Sequence, residues 1–307
     1  MVVVNVCGGL GNQMFQYAYY KLLKNSHVQA ALYIDSDYFA TTKVRATAAA
    51  AAGKNKFYLQ NYHIPGYMLP ELFDISAEYI DKSDLKKYRS NIIKRVVYPK
   101  LGIHLPTTIY ENSYSKQQLE SGQHLNVSDA FMLGYWQQLS LYDCISDELK
   151  KDFTFKNPLD AKNRELAQKI QNSPSVSIHV RRGDYLKNPD VYPQLDADYY
   201  SRALEIVKEA APNPEIFCFS DDIEWCRENL KFDNMTFVDW NLGYDNYKDM
   251  QLMSLCKHNI TANSTFSAWA AWLNANPDKK VVCPAKFDYL SHGCEIHNFL
   301  PDSWIKL

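Results

Sequence analysis

From about residue 155 to residue 283 the chain alternates short apolar runs with amphipathic stretches, and no other feature limits its fold so strongly. Residues 176–180, 216–219, 236–238, 259–262 and 281–283 read as buried strands. Between them, residues 199–210, 223–230 and 266–273 read as helices, as does a stretch carrying Tyr247, Met250, Leu252, Leu255 and Cys256. Such βα succession builds a doubly wound parallel sheet. Open sheets of this kind take ligands beyond the carboxyl ends of their strands, so the loops that follow each strand are where chemistry is expected.

The amino-terminal half opens the same way. Residues 2–7 form a β-branched run, Gly8, Gly9 and Gly11 make a turn, and Asn12 is placed to cap a helix. That helix presents Phe15, Ala18, Tyr19, Leu22 and Leu23 at helical spacing. A second strand is expected at 30–35. From 38 to 69 the pattern collapses, and the alanine run 48–52 has no amphipathic face to dock. Strand-like pieces at 107–110 and 131–135 follow. With 307 residues and a change of pattern near 155, two α/β domains are expected, 1–155 and 156–307.

Composition removes several function classes. Thirty-three basic against 35 acidic residues leave a formal charge of −2, too little positive field for an electrostatic nucleic-acid binder. Twenty-two tyrosines and six tryptophans favour a carbohydrate or nucleotide ligand, because aromatic rings stack on both. Seven scattered cysteines include no CxxC pair and no zinc spacing, and most sit in apolar runs such as Phe217-Cys218-Phe219. They are expected to be reduced and buried, in a cytoplasmic protein whose location extends to the inner membrane surface. The first residues lack the basic region of a secretory signal, and no apolar run approaches the roughly 20 residues that span a bilayer.

Three strand-end loops carry the candidate chemistry. In the first, His179-Val180-Arg181-Arg182-Gly183-Asp184-Tyr185, His179 and Arg181 share one strand face and aim at the crevice. Arg181 offers a permanently charged fork suited to phosphate, while Arg182 is expected to pair with Asp184. In the second, Phe219-Ser220-Asp221-Asp222, one aspartate is expected to cap a helix and the other to accept hydrogen bonds from a nucleobase or ribose. In the third, Asn263-Ser264-Thr265-Phe266-Ser267, a helix start with hydroxyl donors can hold an anion without a metal, Ser264 or Thr265 also capping the helix. The opening glycines match only part of a dinucleotide fingerprint, since Met14 stands at the third glycine position. Asp35-Ser36-Asp37 is a competing, metal-binding possibility, as two carboxylates at i and i+2 can hold a divalent ion.

Gly8-Gly9-Leu10-Gly11-Asn12-Gln13-Met14-Phe15-Gln16 and the three loops above stand in an order that resembles the bacterial α-1,2-fucosyltransferases, glycosyltransferase family 11. The resemblance runs from residue 1 to about 285. It departs after Ser267, where Ala268-Trp269-Ala270-Ala271-Trp272 replaces the usual adjacent tryptophans and glycine. The resemblance implies a GT-B type architecture, two Rossmann-like domains with parallel sheets facing a cleft. It implies inverting transfer of L-fucose from GDP-fucose to the 2-hydroxyl of a β-galactoside such as lactose or a lipid-linked glycan, with no cofactor or metal. By the same resemblance, Arg181 grips the diphosphate with support from Asn263, Ser264, Thr265, Phe266 and Ser267. His179 and Asp221 or Asp222 face the guanosine, and Gly9, Gly11, Asn12 and Gln13 face the donor from the other domain. Asn12 is the expected contact to diphosphate or fucose. The base for the acceptor hydroxyl is not named by the sequence, and Asp35, Asp37 and His63 are candidates. Rival readings are a metal-dependent glycosyltransferase using Asp35 and Asp37, a non-catalytic GDP-sugar or glycan-binding protein, and a fucosyltransferase of another linkage.

Overall fold

The computed structural model describes residues 1–40, 66–88, 107–187, 189–190, 192–285, 290–291, 294–295 and 300–307. They fall into two compact units, one of Met1–Phe39 and Tyr67–Thr154, the other containing Phe155–Leu307. Each is built on a parallel sheet, so the expected α/β class is the one observed.

The first unit contains strand β1 (Val2–Val6), helix α1 (Leu10–Asn25) and strands β2 (Ala30–Ile34), β3 (Thr107–Tyr110) and β4 (Ala130–Leu133). The sheet order is β2-β1-β4-β3, all parallel. All of β1 is buried, which is why it reads as an unbroken apolar run rather than an alternating one. The turn into α1 needs Gly8, whose φ of +87° lies in the left-handed region. The helix then starts at Leu10 with Gly9 as N-cap and no side-chain cap. Asn12 therefore lies inside the first turn and does not cap, contrary to expectation: the glycine turn brings the chain into helical geometry three residues earlier.

The second unit contains α2 (Ala161–Gln171), β5 (Ser175–Val180), α3 (Ala197–Lys208), β6 (Glu215–Ser220), α4 (Ile223–Asn229) and β7 (Met235–Val238). It continues with α5 (Tyr247–Leu255), β8 (His258–Ile260), α6 (Thr265–Leu273), β9 (Val281–Cys283) and β10 (Ile305–Lys306). The strand order is β10-β9-β8-β5-β6-β7, all parallel. Val176, Ile178 and Val180 of β5 pack with Ala203, Leu204 and Val207 of α3. The chain runs outward from β5 through β6 to β7, then returns to lay β8 on the other side of β5. That reversal between β5 and β8 is a topological switch point, where the carboxyl-end loops splay apart. β1 and β4 form the equivalent point of the first unit.

The altered helix α6 is well packed. Ala268, Trp269, Ala270 and Ala271 are buried, and the Trp269 and Trp272 rings meet edge-on at 5.2 Å. Cys218, Cys226, Cys256 and Cys283 are buried free thiols as expected, but Cys144 is exposed, being on a short 3-10 stretch at the surface. Among the described residues no helix is long and apolar enough to cross a membrane.

Candidate functional site

The carboxyl ends of β5 and β6 hold an interlocked ion cluster. Arg181 leaves the end of β5 and pairs with Asp184 at 2.7 Å and Asp221 at 3.0 Å. Burial works against its charge, but the two carboxylates outweigh that, and the guanidinium is held more firmly protonated than usual. Its side chain keeps 28% exposure, so it is fixed in place yet reachable. The Asp184 partner is thus Arg181, not Arg182, because residues 181 and 184 lie on the same side of the tight turn. Arg182 instead pairs with Asp222 at 3.2 Å, its guanidinium 4.2 Å from the centre of the Trp225 ring.

The two aspartates divide their work. Asp222 caps α4, accepting the Trp225 N–H, and its other oxygen takes Arg182. Asp221 binds the loop itself: one oxygen accepts the N–H groups of Arg182 and Gly183 at 2.9 and 3.2 Å, and the other faces Arg181. Asp222 is thereby committed to the helix cap, while Asp221 is the acid beside the phosphate candidate. His179 lies two residues earlier on the same face of β5, 6% exposed, with Nδ1 buried and without a hydrogen-bond partner among the described residues. Burial, and then the neighbouring Arg181 charge, push its imidazole down to about 3, so it is neutral at physiological pH. Its ring lies 5.7 Å from that of Phe266.

Across the switch point, β8 ends at Ile260, and Thr261 and Ala262 lead to Asn263 and Ser264. Ser264 caps α6 by accepting the Phe266 N–H. Ser267 donates to the Ala262 and Ser264 carbonyls and Asn263 donates to the Pro193 carbonyl, so both are structural members of the loop. Thr265 and Phe266, at the start of α6, are half-buried. Tyr185 ties the two loops together. Its hydroxyl donates to the Asn263 carbonyl at 2.9 Å, its ring stacks on Tyr192 at 4.4 Å, and Arg181 lies 5.5 Å above it. Sequence reasoning quoted Tyr185 in the motif but gave it no role. A β5 loop whose arginine must be held rigid is the signal that could have found it.

The first unit places its candidates differently from one another. Gly9 is half-buried with open space where a side chain would go, and Asn12 is half-buried in the first turn of α1. Gln13 is fully buried, its amide donating to the Gly8 carbonyl and accepting the Met68 N–H, and Gly11 is buried in the helix. Gln13 thereby braces the glycine turn against Met68. Gln137 and Glu111, unmentioned in the sequence reading, meet Asn12 and the β4 end directly. Of the metal candidates, Asp35 accepts the Tyr38 N–H and Asp37 is paired with Lys82. Among the described residues no group of three or more potential ligands comes together. His63 and the alanine run lie outside the described residues.

The profile of the family described as Glycosyl transferase family 11 matches residues 99–306 of the chain. The Escherichia coli "O-antigen biosynthesis glycosyltransferase WbnK" is 32% identical, covering 98% of both chains. The Escherichia coli "Alpha-1,2-colitosyltransferase" is 30% identical over 100% of this chain and 99% of its own. The gorilla "Galactoside alpha-(1,2)-fucosyltransferase 2" is 26% identical over 89% of this chain and 69% of its own.

Proposed function

Because the chain belongs to glycosyl transferase family 11, we propose that it moves L-fucose from GDP-β-L-fucose to the 2-hydroxyl of a terminal β-galactoside, inverting the anomeric carbon. The observation that carries this reading is Arg181 at the switch point of the second sheet, fixed by Asp221 and Asp184 and reachable from outside.

In this reading the acceptor oxygen forms a bond to the anomeric carbon as the bond to the β-phosphate oxygen breaks, and the acceptor proton is released. The sugar becomes cation-like while negative charge grows on the departing diphosphate. Arg181 and the start of α6 stabilise that growing charge more than they stabilise the ground state, which is what accelerates the step. Asp221 keeps the guanidinium from reorganising. His179, neutral, offers the donor an uncharged hydrogen-bonding ring and does not add a positive charge. On the other unit, Asn12 provides an uncharged amide for diphosphate or fucose oxygens. In this reading the transfer uses no metal, and the acceptor lies on the first unit, with lactose-like ends or lipid-linked glycans at the inner membrane surface as its acceptor class.

A colitosyl donor is the second reading, favoured by the full-length relative whose name carries that activity. Incubation with a panel of nucleotide sugars and lactose, with released nucleotide measured and the product linkage read by NMR, tests both. GDP release with a new α-1,2-fucosyl bond is expected. Turnover of a GDP-colitosyl donor alone would select the second reading, and consumption of UDP-sugars would overturn both.

A further inference from the structure

The carboxyl end of β4 is bent into an unusual turn. Trp136 is 1% exposed and has φ of +57°, a left-handed conformation that a bulky side chain adopts only when its surroundings force it. The forces are visible. Its ring is stacked flat on Tyr19 at 3.9 Å, and its carbonyl accepts the Tyr142 hydroxyl at 2.6 Å. The Gly134 carbonyl accepts from Gln16 Nε2 at 3.0 Å, and Gln16 Oε1 in turn accepts the Cys7 N–H at the end of β1. At the centre is Glu111, which follows β3. Its carboxylate accepts the N–H groups of Tyr135 at 2.7 Å and Gln137 at 3.0 Å. Residue 134 must be glycine, because a Cβ there would run into the Glu111 side chain, whose Oε2 would be 2.8 Å away.

The turn has one directed product. It sets the Gln137 side chain so that Nε2 donates to Asn12 Oδ1 at 2.8 Å. Gln137 is 4% exposed and its Oε1 has no hydrogen-bond partner among the described residues. An amide buried with its donor engaged and its acceptor unmatched is costly, so it is held for the sake of what the donor orients. With Oδ1 engaged, the Asn12 Nδ2 group is fixed over the Gly8 backbone, where even a methyl at Gly8 would come within 2.8 Å of it. Asn12 itself is half-buried, at the switch point between β1 and β4.

We propose that Glu111 and Gln137 are positioning residues: Glu111 moulds the turn 134–137, and Gln137 thereby orients the Asn12 amide as a hydrogen-bond donor to the substrate. The inference rests on Asn12 as a substrate contact, as in the function proposed above, and adds the machinery that aims it. It belongs to the transfer step whichever 6-deoxy sugar is moved.

A double-mutant cycle tests it, using the donor that the wild type turns over. Gln137→Ala and Glu111→Gln are each expected to lower kcat/KM about fivefold to tenfold, the range of one misaligned hydrogen bond. In the Asn12→Ala background the same changes are expected to cost less than twofold, since nothing remains to be aimed. Gln137→Met, of the same length, is read in place of Gln137→Ala if the latter melts early. Glu111→Asp, keeping the carboxylate, is expected to recover part of the Glu111→Gln loss. Equal losses in both backgrounds, or no loss in either, would overturn the proposal. A readout independent of turnover separates it from the functional reading: the side-chain amide resonances of Asn12 in ¹H–¹⁵N spectra. They are expected to shift in Gln137→Met and in Glu111→Gln. Unmoved resonances would defeat the relay even in an active enzyme, while shifted resonances in a protein that transfers no sugar would defeat the functional reading and leave the relay standing.

Discussion

At the scale of single residues, two groups decide the account. Replacing Arg181 by alanine removes the cation that the proposed function sets against the leaving group. A drop of about 10²–10³ in kcat, with an unchanged circular-dichroism spectrum, is expected. Lysine is not expected to rescue it, because a point charge cannot face Asp184, Asp221 and a phosphate together as a planar fork does. His179 predicts a pH effect. Its folded value, about 3, is below the roughly 6.5 of an exposed imidazole, so only the unfolded chain takes up its proton on mild acidification. Stability is therefore full above about pH 6.5 and is lost as pH falls from there towards 3, by up to about 1.4 kcal/mol per pH unit from this group. Urea titrations between pH 7.5 and 5 check the slope. His179→Asn is expected to flatten it, and an identical slope in the variant would show that other groups set the acid sensitivity.

At the scale of elements, the predictions concern how loops are held. Ser264→Ala removes the cap of α6 and is expected to cost about 1 kcal/mol by denaturant melting, with weaker donor binding because the helix start loosens. Gly8→Ala is expected to cost more, since φ of +87° disfavours a side chain and Asn12 already occupies the space. A thermal melt that puts Ser264→Ala below Gly8→Ala would contradict this ranking. Elements were also where the sequence was most and least legible. Strands β6 and β9 could be read because burial on both faces makes them continuous apolar runs, and β5 because Val176, Ile178 and Val180 recur at every second position. Helix α2 was missed because its surface is mostly polar and only Leu166, Ala167 and Ile170 carry its apolar stripe. Strand β10 is two residues long and has no pattern to read. The candidate loops were legible as motifs, since Arg181, Asp221 and Ser264 all sit where a strand stops. Their pairings were not. Whether Asp184 meets Arg181 or Arg182 depends on the turn between them, and Glu111 meets the 134–137 turn across more than twenty residues of chain.

At the scale of the whole molecule, one principle accounts for both units. Each is a parallel sheet whose strand order reverses beside its first strand, and each gathers its reactive loops at that reversal. The second unit collects charge at the ends of β5 and β6, beside its reversal, with two arginines and three aspartates in one interlocked set. The first collects amides and a buried carboxylate around Asn12. In the proposed reaction a fixed guanidinium and a helix start take the part that a divalent ion takes in metal-dependent transferases, so exhaustive chelation is expected to leave the transfer rate unchanged. A loss of activity restored by added Mg²⁺ or Mn²⁺ would contradict that. The most direct measurement is calorimetric titration of GDP, GMP and guanosine into the wild type and Arg181→Ala. GDP is expected to bind the wild type far more tightly than guanosine does, and the substitution to weaken GDP by about tenfold to a hundredfold while leaving guanosine unaffected. GDP binding of equal strength in the two proteins would contradict the assignment of the diphosphate to Arg181.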